Sequence, residues 1–293
     1  TRSAVFAPLD NLGMIVIDEE QEHTYKSDMN PKYHAKDIAR YRSAHQNSLM
    51  LLASATPSFD SYYKAKEGKY ALVWPVADGY YGYMFMDSFG APLFGPKGDD
   101  RKQHNLNSAA AIKGLTYFQS LRKQILDVPA TDVSGDFCNS SFAEGKAAMV
   151  ITGPWKITDF KKAGVKFDIA TIPSFPGSDQ PGSTFAGVRL AFVSAYSENP
   201  EEAMAFAEFF TSKASLEERF KITDQIPPRK DIDTNKPLSN GIKAQLKYSK
   251  PMPTIPQLGT YWSAMGSAYS GIWDGDPVKP ALDAAAAAME AAK

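Results

Sequence analysis

The feature that most constrains this chain is a break in residue usage near position 70. All four tryptophans (Trp74, Trp155, Trp262, Trp273) and seventeen of the twenty prolines follow it, while three of the four histidines (His23, His34, His45) precede it. At 293 residues the chain has room for two domains of about 150 residues each. The break therefore predicts two units of different origin rather than one continuous core. Charge does not separate them: 32 basic and 33 acidic residues give a net charge of −1. Without a basic field, neither nucleic acid nor an anionic membrane is an expected partner. The single cysteine, Cys138, excludes a disulfide framework, a Cys-rich zinc site and an iron–sulfur cluster, so no metal or cofactor is expected. No apolar run reaches the 18 or so residues of a membrane span. No signal-peptide pattern opens the chain. It begins at Thr1 with strand-like sequence close behind, as a fragment with its start cut away would.

The first 70 residues alternate strand and helix patterns. Met14 to Ile17 is a short apolar run with β-branched residues that ends in Asp18-Glu19-Glu20. From about Tyr33 to Gln46 there is no Pro or Gly, and Ala35, Ile38, Ala39 and Arg42 recur at helical spacing. Ser48 to Ala53 is a second apolar run, ended by Pro57. Strand, helix and strand make a βαβ unit with parallel strands, whose loops emerge at one edge. That edge would carry both Asp18-Glu19 and Ser54-Ala55-Thr56. Acidic residues after a strand suit a nucleotide hydrolase, where one carboxylate holds Mg²⁺ and the next orients the attacking water. On pattern alone a solvated loop accounts for them better.

The whole stretch is more specific. Thr1-Arg2-Ser3-Ala4-Val5-Phe6-Ala7-Pro8, Asn11-Leu12-Gly13, Ile17 through Gln21, Tyr33-His34-Ala35-Lys36-Asp37 and Ser54-Ala55-Thr56-Pro57 resemble the primosomal replication-restart helicase family. The resemblance makes Asp18, Glu19, Glu20 and Gln21 its helicase motif II, and Ser54, Ala55 and Thr56 its motif III. No Gly-x-x-x-x-Gly-Lys-Ser/Thr occurs in the chain: its two Gly-Lys pairs lead into Tyr70 and Ala147. Phosphate binding needs that loop's amides, lysine and hydroxyl. The motif residues are thus expected to be vestigial, with no catalytic residue in the chain.

After residue 70 the pattern is mixed α/β with longer helices. Asn107 to Leu126 carries Ile112, Leu115, Phe118, Leu121 and Ile125 three and four apart, which predicts an amphipathic helix. Ala148–Thr152 and Phe167–Ile172 read as short strands, and Phe185–Ala195 as a longer extended run. Asn199-Pro200-Glu201-Glu202 predicts a helix start capped by Asn199, with an apolar face of Ala203, Phe206, Ala207 and Phe210. Pro280 to Ala292 predicts a final Ala-rich helix.

This part is also rich in aromatics, among them Trp74, Tyr80, Tyr81, Trp155, Tyr261, Trp262 and Trp273. Large rings at helical spacing are most often core. The alternative is a carbohydrate cleft, because the C–H face of a pyranose stacks on aromatic rings while its hydroxyls need carboxylate or amide partners. Trp155 follows Gly153-Pro154 at a strand-to-helix turn, and Trp262 is expected to begin a helix after Pro251-Met252-Pro253-Thr254-Ile255-Pro256. Phe142-Ala143-Glu144-Gly145-Lys146-Ala147-Ala148-Met149, then Ile151-Thr152-Gly153-Pro154-Trp155, resembles the mid-chain signature of extracellular solute-binding proteins of carbohydrate ABC importers. The maltose/maltodextrin-binding subgroup is the most similar. Met252 through Gln257 with Tyr261-Trp262 is similar to its second signature, and Trp74-Pro75 through Asp78-Gly79-Tyr80-Tyr81 to its acidic-aromatic cleft segment.

This resemblance implies ligand-binding roles for Asp78, Tyr80, Trp155, Tyr261 and Trp262, with the two tryptophans stacking on sugar rings. It also implies a two-lobed protein that closes about a hinge, with Phe185-Ala186-Gly187-Val188 in a crossing segment. The residues that would build the amino-terminal lobe are not in this sequence. The expected fold is therefore α/β: a truncated parallel βαβ segment over residues 1–70, then an incomplete periplasmic-binding-protein-like domain over 71–293, mainly its carboxyl-terminal lobe. The helices after the hinge would lack their partner lobe. The implied function is non-enzymatic maltodextrin binding for an ABC importer, impaired by the truncation. Its partners would be an oligosaccharide and the importer's membrane subunits, and the chain would be a monomer. The implied location is extracytoplasmic, or cytoplasmic if expressed as written. The alternatives are an inactive fragment of a 3′-5′ DNA helicase and a glycoside hydrolase, although no motif places an acid pair for the latter.

Overall fold

Four apolar residues, three of them β-branched, make the first strand, β1 (Met14–Ile17), and helix α1 (Ala35–Gln46) leads to β2 (Leu49–Leu52). The computed structural model describes residues 2–7, 14–17, 35–46, 49–52, 70–178 and 181–292. β1 and β2 pair in parallel, Met14 opposite Leu49 through Ile17 opposite Leu52, so the βαβ pattern of the sequence forms. Ala35 and Ala39, one helical turn apart, are buried, as is Ile17. Arg42 of α1 donates to the carbonyls of Val5 and Ala7, at 2.7 and 2.9 Å, and so ties the helix to the 3₁₀ turn Arg2–Phe6. Residues 18–21 and 54–56, the expected helicase motifs, lie outside the described residues.

The chain divides into two compact units, Thr1–Gly68 and Lys69–Lys293. In the second, strand β3 (Tyr70–Val73) is followed by two short helices, α2 (Gly79–Gly82) and α3 (Met84–Asp87), and by α4 (Ala109–Gln124). Next come α5 (Gly135–Ala143), β4 (Ala147–Val150) and α6 (Ile157–Lys162), then β5 (Phe185–Ala186), α7 (Pro200–Thr211), α8 (Lys213–Thr223) and α9 (Pro237–Leu246). β6 (Lys250–Pro251), α10 (Leu258–Asp274) and α11 (Val278–Ala291) complete it. β3 pairs in parallel with β4, and β5 with β6.

The core of this unit is aromatic. Trp74 and Trp273 meet edge to face at 5.4 Å, and Phe118 lies 5.1 Å from Trp273 and 5.4 Å from Tyr269. Phe85 closes the group, 5.1 Å from Phe118 and 6.0 Å from Trp74. All five side chains are fully or almost fully buried. Rings in such offset and edge-on pairs gain electrostatic as well as dispersion energy. The predicted amphipathic helix is α4: the Ser108 hydroxyl accepts from the Ala111 amide at its start, and Leu115, Phe118 and Leu121 face inward. Gly114 lets α3 come close, since a Cβ there would sit 1.8 Å from the Phe85 carbonyl oxygen. No other residue fits.

Several local expectations are corrected. Phe167–Ile172 is not a strand: the Ile172 amide donates to the Gln245 side chain instead of to a neighbouring strand. Only Phe185–Ala186 of the extended run is a strand, because β6 offers just two residues to pair with. The Asn199 side chain makes no cap hydrogen bond, and Pro200 at the first position starts α7 by its fixed φ. Trp262 does not begin a helix either, since α10 starts four residues earlier at Leu258.

Asp224 joins three helices. It ends α8 in the left-handed conformation (φ 53°), which Asp tolerates better than most residues. Its buried carboxylate pairs with Lys161 of α6, and at 2.8 Å with Lys236 just before α9. Burial alone would raise its pKa, but hydrogen bonds from the two lysines outweigh that and hold it below 3.8. A lowered folded-state pKa adds stability above the unfolded value of about 3.9, and that stability disappears as pH falls through the folded value. Asp224→Asn should therefore melt lower than the parent chain at neutral pH, with the gap closing below about pH 4. Thermal melts of both proteins across that range check it; a gap independent of pH would contradict the pairing.

Candidate functional site

Two stretches distant in sequence are sewn together at the cleft. α10 buries Tyr261, Met265, Ala268, Tyr269, Ile272 and Trp273 on one face. Tyr261 has no exposed surface, and its hydroxyl donates to the Gly79 carbonyl at 2.9 Å. This corrects the expected ligand-binding role of Tyr261: a sealed ring cannot touch a sugar. It is a positioning residue instead. By fixing the register of α10 against the 77–80 turn, it sets its neighbour Trp262 on the adjoining, half-buried side.

The turn itself is built by Asp78, whose Oδ1 accepts from the Tyr80 amide at 2.7 Å as the N-cap of α2. Asp78 is exposed, so its second oxygen remains open to a ligand hydroxyl. Ala77, Asp78, Gly79, Tyr80 and Trp262 line a cleft of about 440 Å³. Burial and the nearby Tyr81 and Asp78 raise the Tyr80 pKa, so its hydroxyl stays protonated and able to donate. Trp155 stands beside this cleft rather than in its immediate lining: its ring lies 6.1 Å from that of Tyr80 and is 39% exposed. The 3₁₀ turn Pro154–Lys156 after β4 carries it. Its ring folds back onto Gly153, where a Cβ would meet the indole at 2.1 Å.

Four of the five expected residues thus converge, Asp78, Tyr80, Trp155 and Trp262, while Tyr261 supports them from below. Phe185, expected only as part of a crossing segment, is the residue that sequence reasoning missed. It stacks on Tyr83 at 3.9 Å and reaches Tyr80 and Trp262 at 5.8 and 6.0 Å, forming the floor that holds both rings upright. A lone phenylalanine in an apolar run gives no signal of that role. The arrangement offers aromatic faces, one carboxylate and one phenol, which is a set for binding polyhydroxylated rings. Among the described residues, no group of histidine, cysteine and acidic side chains could hold a metal ion.

If Tyr261 positions the cleft through one hydrogen bond, Tyr261→Phe should cost about 0.5–1.5 kcal/mol, because the Gly79 carbonyl keeps the Tyr83 amide as its other donor. Trp155→Phe, which keeps a ring at this partly exposed site, should change stability by less. Denaturant melts of the two variants test this ordering, and the reverse order would refute it.

Comparison with known proteins bears on the same region. A galactooligosaccharide-binding protein of Bacillus subtilis is 31% identical over 220 residues, 71% of this chain and 52% of that protein. The chain therefore spans about half the length of that relative. The crystal structure of a cyclo/maltodextrin-binding protein complexed with maltotetraose superposes with a TM-score of 0.64 at 30% identity, covering 81% of this chain and 65% of the other. The fold is thus a partial periplasmic-binding-protein fold. A separate segment matches the replication restart protein PriA of Bacillus subtilis, 51% identical over 72 residues, 25% of this chain and 9% of that protein. The sequence profile described as bacterial extracellular solute-binding protein matches residues 49–247, more than half of the chain, and the chain belongs to that family.

Proposed function

We propose that this chain binds maltodextrin-type oligosaccharides, as the substrate-binding component of an ABC sugar importer, with Trp155, Trp262 and Tyr80 stacking on sugar rings and Asp78 accepting from their hydroxyls. The observation that carries this reading is that Asp78, Tyr80 and Trp262 line one 440 Å³ cleft, with the Trp155 ring beside it 6.1 Å from that of Tyr80, in a member of the solute-binding family. Such proteins catalyse no reaction; they deliver a ligand to membrane subunits outside the cytoplasm. No helix among the described residues is long and apolar enough to cross a membrane.

The boundary near residue 70 divides the roles: residues 71–293 carry the sugar cleft, and residues 1–70 are a helicase motor-lobe segment without a task of their own. The described lining covers one side of a ligand. Sites that hold small molecules well bury roughly 70–90% of them, and each missing polar contact forfeits about 0.5–1.5 kcal/mol. Binding is therefore weak, at about the millimolar level. Titration calorimetry with maltotetraose should show this weak binding for the parent chain and none for the Trp155→Ala, Trp262→Ala double variant. Tight binding, or binding indifferent to both changes, would remove the site assignment.

The 51% identity to PriA favours a second reading for the amino-terminal segment alone, an ATP-dependent motor. The sequence supplies no phosphate-binding loop for it. Glu19→Gln should accordingly leave any ATPase background of the full chain unchanged, with or without branched DNA. A clear drop would revive the motor.

A further inference from the structure

The second unit has another hollow besides the cleft at Asp78. It measures about 430 Å³ and is lined from three segments, residues 87–96, 177–183 and 247–250. That volume lies within the roughly 300–1,000 Å³ of small-molecule sites. Hydrogen bonds hold the three segments in place. The Ser183 amide donates to the Ser88 Oγ at 2.9 Å. The Thr184 and Ser249 hydroxyls meet at 2.8 Å, and the Lys250 amide donates to the Thr184 carbonyl at 2.8 Å. Lys113 donates to the Gly177 carbonyl at 3.1 Å and lies over the Phe89 ring, 5.5 Å from its centre. The fold thus sets these walls before a ligand arrives, which lowers the ordering cost of binding.

Several polar groups of the lining lack a partner within the protein. Ser183 is 6% exposed, and its Oγ makes no hydrogen bond. A buried hydroxyl left in that state costs stability unless something else satisfies it. Lys247 and Lys250 are exposed and form no ion pair among the described residues. Asp87, half-buried and beside the Tyr83 hydroxyl, is the one carboxylate among the described lining residues.

These groups define the chemistry of an occupant. Ammonium groups only donate and call for an anion, whereas a carboxylate only accepts and calls for a donor hydrogen. A neutral sugar leaves both lysines unmet. Inorganic phosphate is repelled by Asp87 and leaves most of the volume to water. An amino acid matches the charges but carries no hydroxyls for the serines. We propose that this hollow binds a monosaccharide bearing one anionic group, a hexuronate or a hexose phosphate. Its anion faces Lys247 and Lys250, and its ring hydroxyls meet Asp87, Ser88 and, after rotation about χ1, Ser183. No residue lines both this hollow and the cleft at Asp78, so the site stands apart from the maltodextrin reading.

Titration calorimetry of the full chain at low salt, with glucuronate and glucose 6-phosphate as probes, tests this. At least one should bind saturably, at least about tenfold more tightly than glucose, glycine or inorganic phosphate. Which of the two binds distinguishes a carboxylate from a phosphate ligand. Lys247→Gln with Lys250→Gln, at exposed positions, should weaken that binding at least about tenfold and flatten its salt dependence. Ser183→Ala should weaken it about threefold or more, while the melting temperature holds or rises because an unsatisfied hydroxyl is gone. The Trp155→Ala, Trp262→Ala double variant should bind the anionic sugar as the parent chain does, whatever becomes of maltotetraose binding. No saturable binding of either probe overturns the proposal, as does equal binding of glucose, glycine or phosphate. So does binding that ignores the lysine pair or disappears with the tryptophan pair, or a Ser183→Ala chain that melts lower.

Discussion

The hydrogen bond from the Tyr261 hydroxyl to the Gly79 carbonyl is the point on which the cleft depends. It joins the start of α10 to the turn that carries Asp78 and Tyr80, two stretches 182 residues apart. Below it, the same helix drives Tyr269 and Trp273 into contact with Phe118 and Trp74. The core therefore sets where α10 sits, and the hydrogen bond sets how it is turned. Trp262 faces the cleft because its neighbour is sealed beneath it. A binding surface made of large rings needs this kind of support, since a ring free to rotate loses entropy on every ligand it stacks with.

The four tryptophans show how far sequence reasoning reaches. Composition marks all four as large apolar rings, and nothing local separates Trp74 and Trp273, which are core, from Trp155 and Trp262, which are not. The separation lies in long-range packing: Trp273 donates its indole N–H to the Val128 carbonyl and Trp74 is sealed by Trp273 and Phe85. Resemblance rather than local pattern singled out Trp155 and Trp262, and the proline-rich stretch gave Trp262 a helix start that α10 does not have there. The same motif logic failed at Tyr261, because it assigns neighbours in a signature alike, whereas a helix turns each residue by about 100° and sends two neighbours to different environments. Strands fared worst. Phe167–Ile172 and most of Phe185–Ala195 have strand composition, but a strand exists only where a partner supplies the other half of the ladder. The βαβ unit near the start was legible because both of its strands and the connecting helix fall within one short window.

The two faces of this molecule differ in how well they are satisfied. Around α4, α10 and α11 the apolar residues are interleaved and sealed. From Val188 to Phe210 comparable side chains point into solvent, on a helix whose sequence was plainly shaped for burial. Helix stability in proteins comes mainly from packing an apolar face, so α7 draws little from its own rings as it stands.

The most direct test of the cleft uses the four tryptophans as reporters. With 5-fluorotryptophan in place of each, fluorine magnetic resonance of the full chain gives one signal per site, assigned by single Trp→Phe variants. On titration with maltotetraose the account predicts that the signals of Trp155 and Trp262 move together along a saturating curve while those of the buried Trp74 and Trp273 stay still. No movement at Trp155 and Trp262, or movement confined to the buried pair, would contradict the assignment of this cleft to sugar.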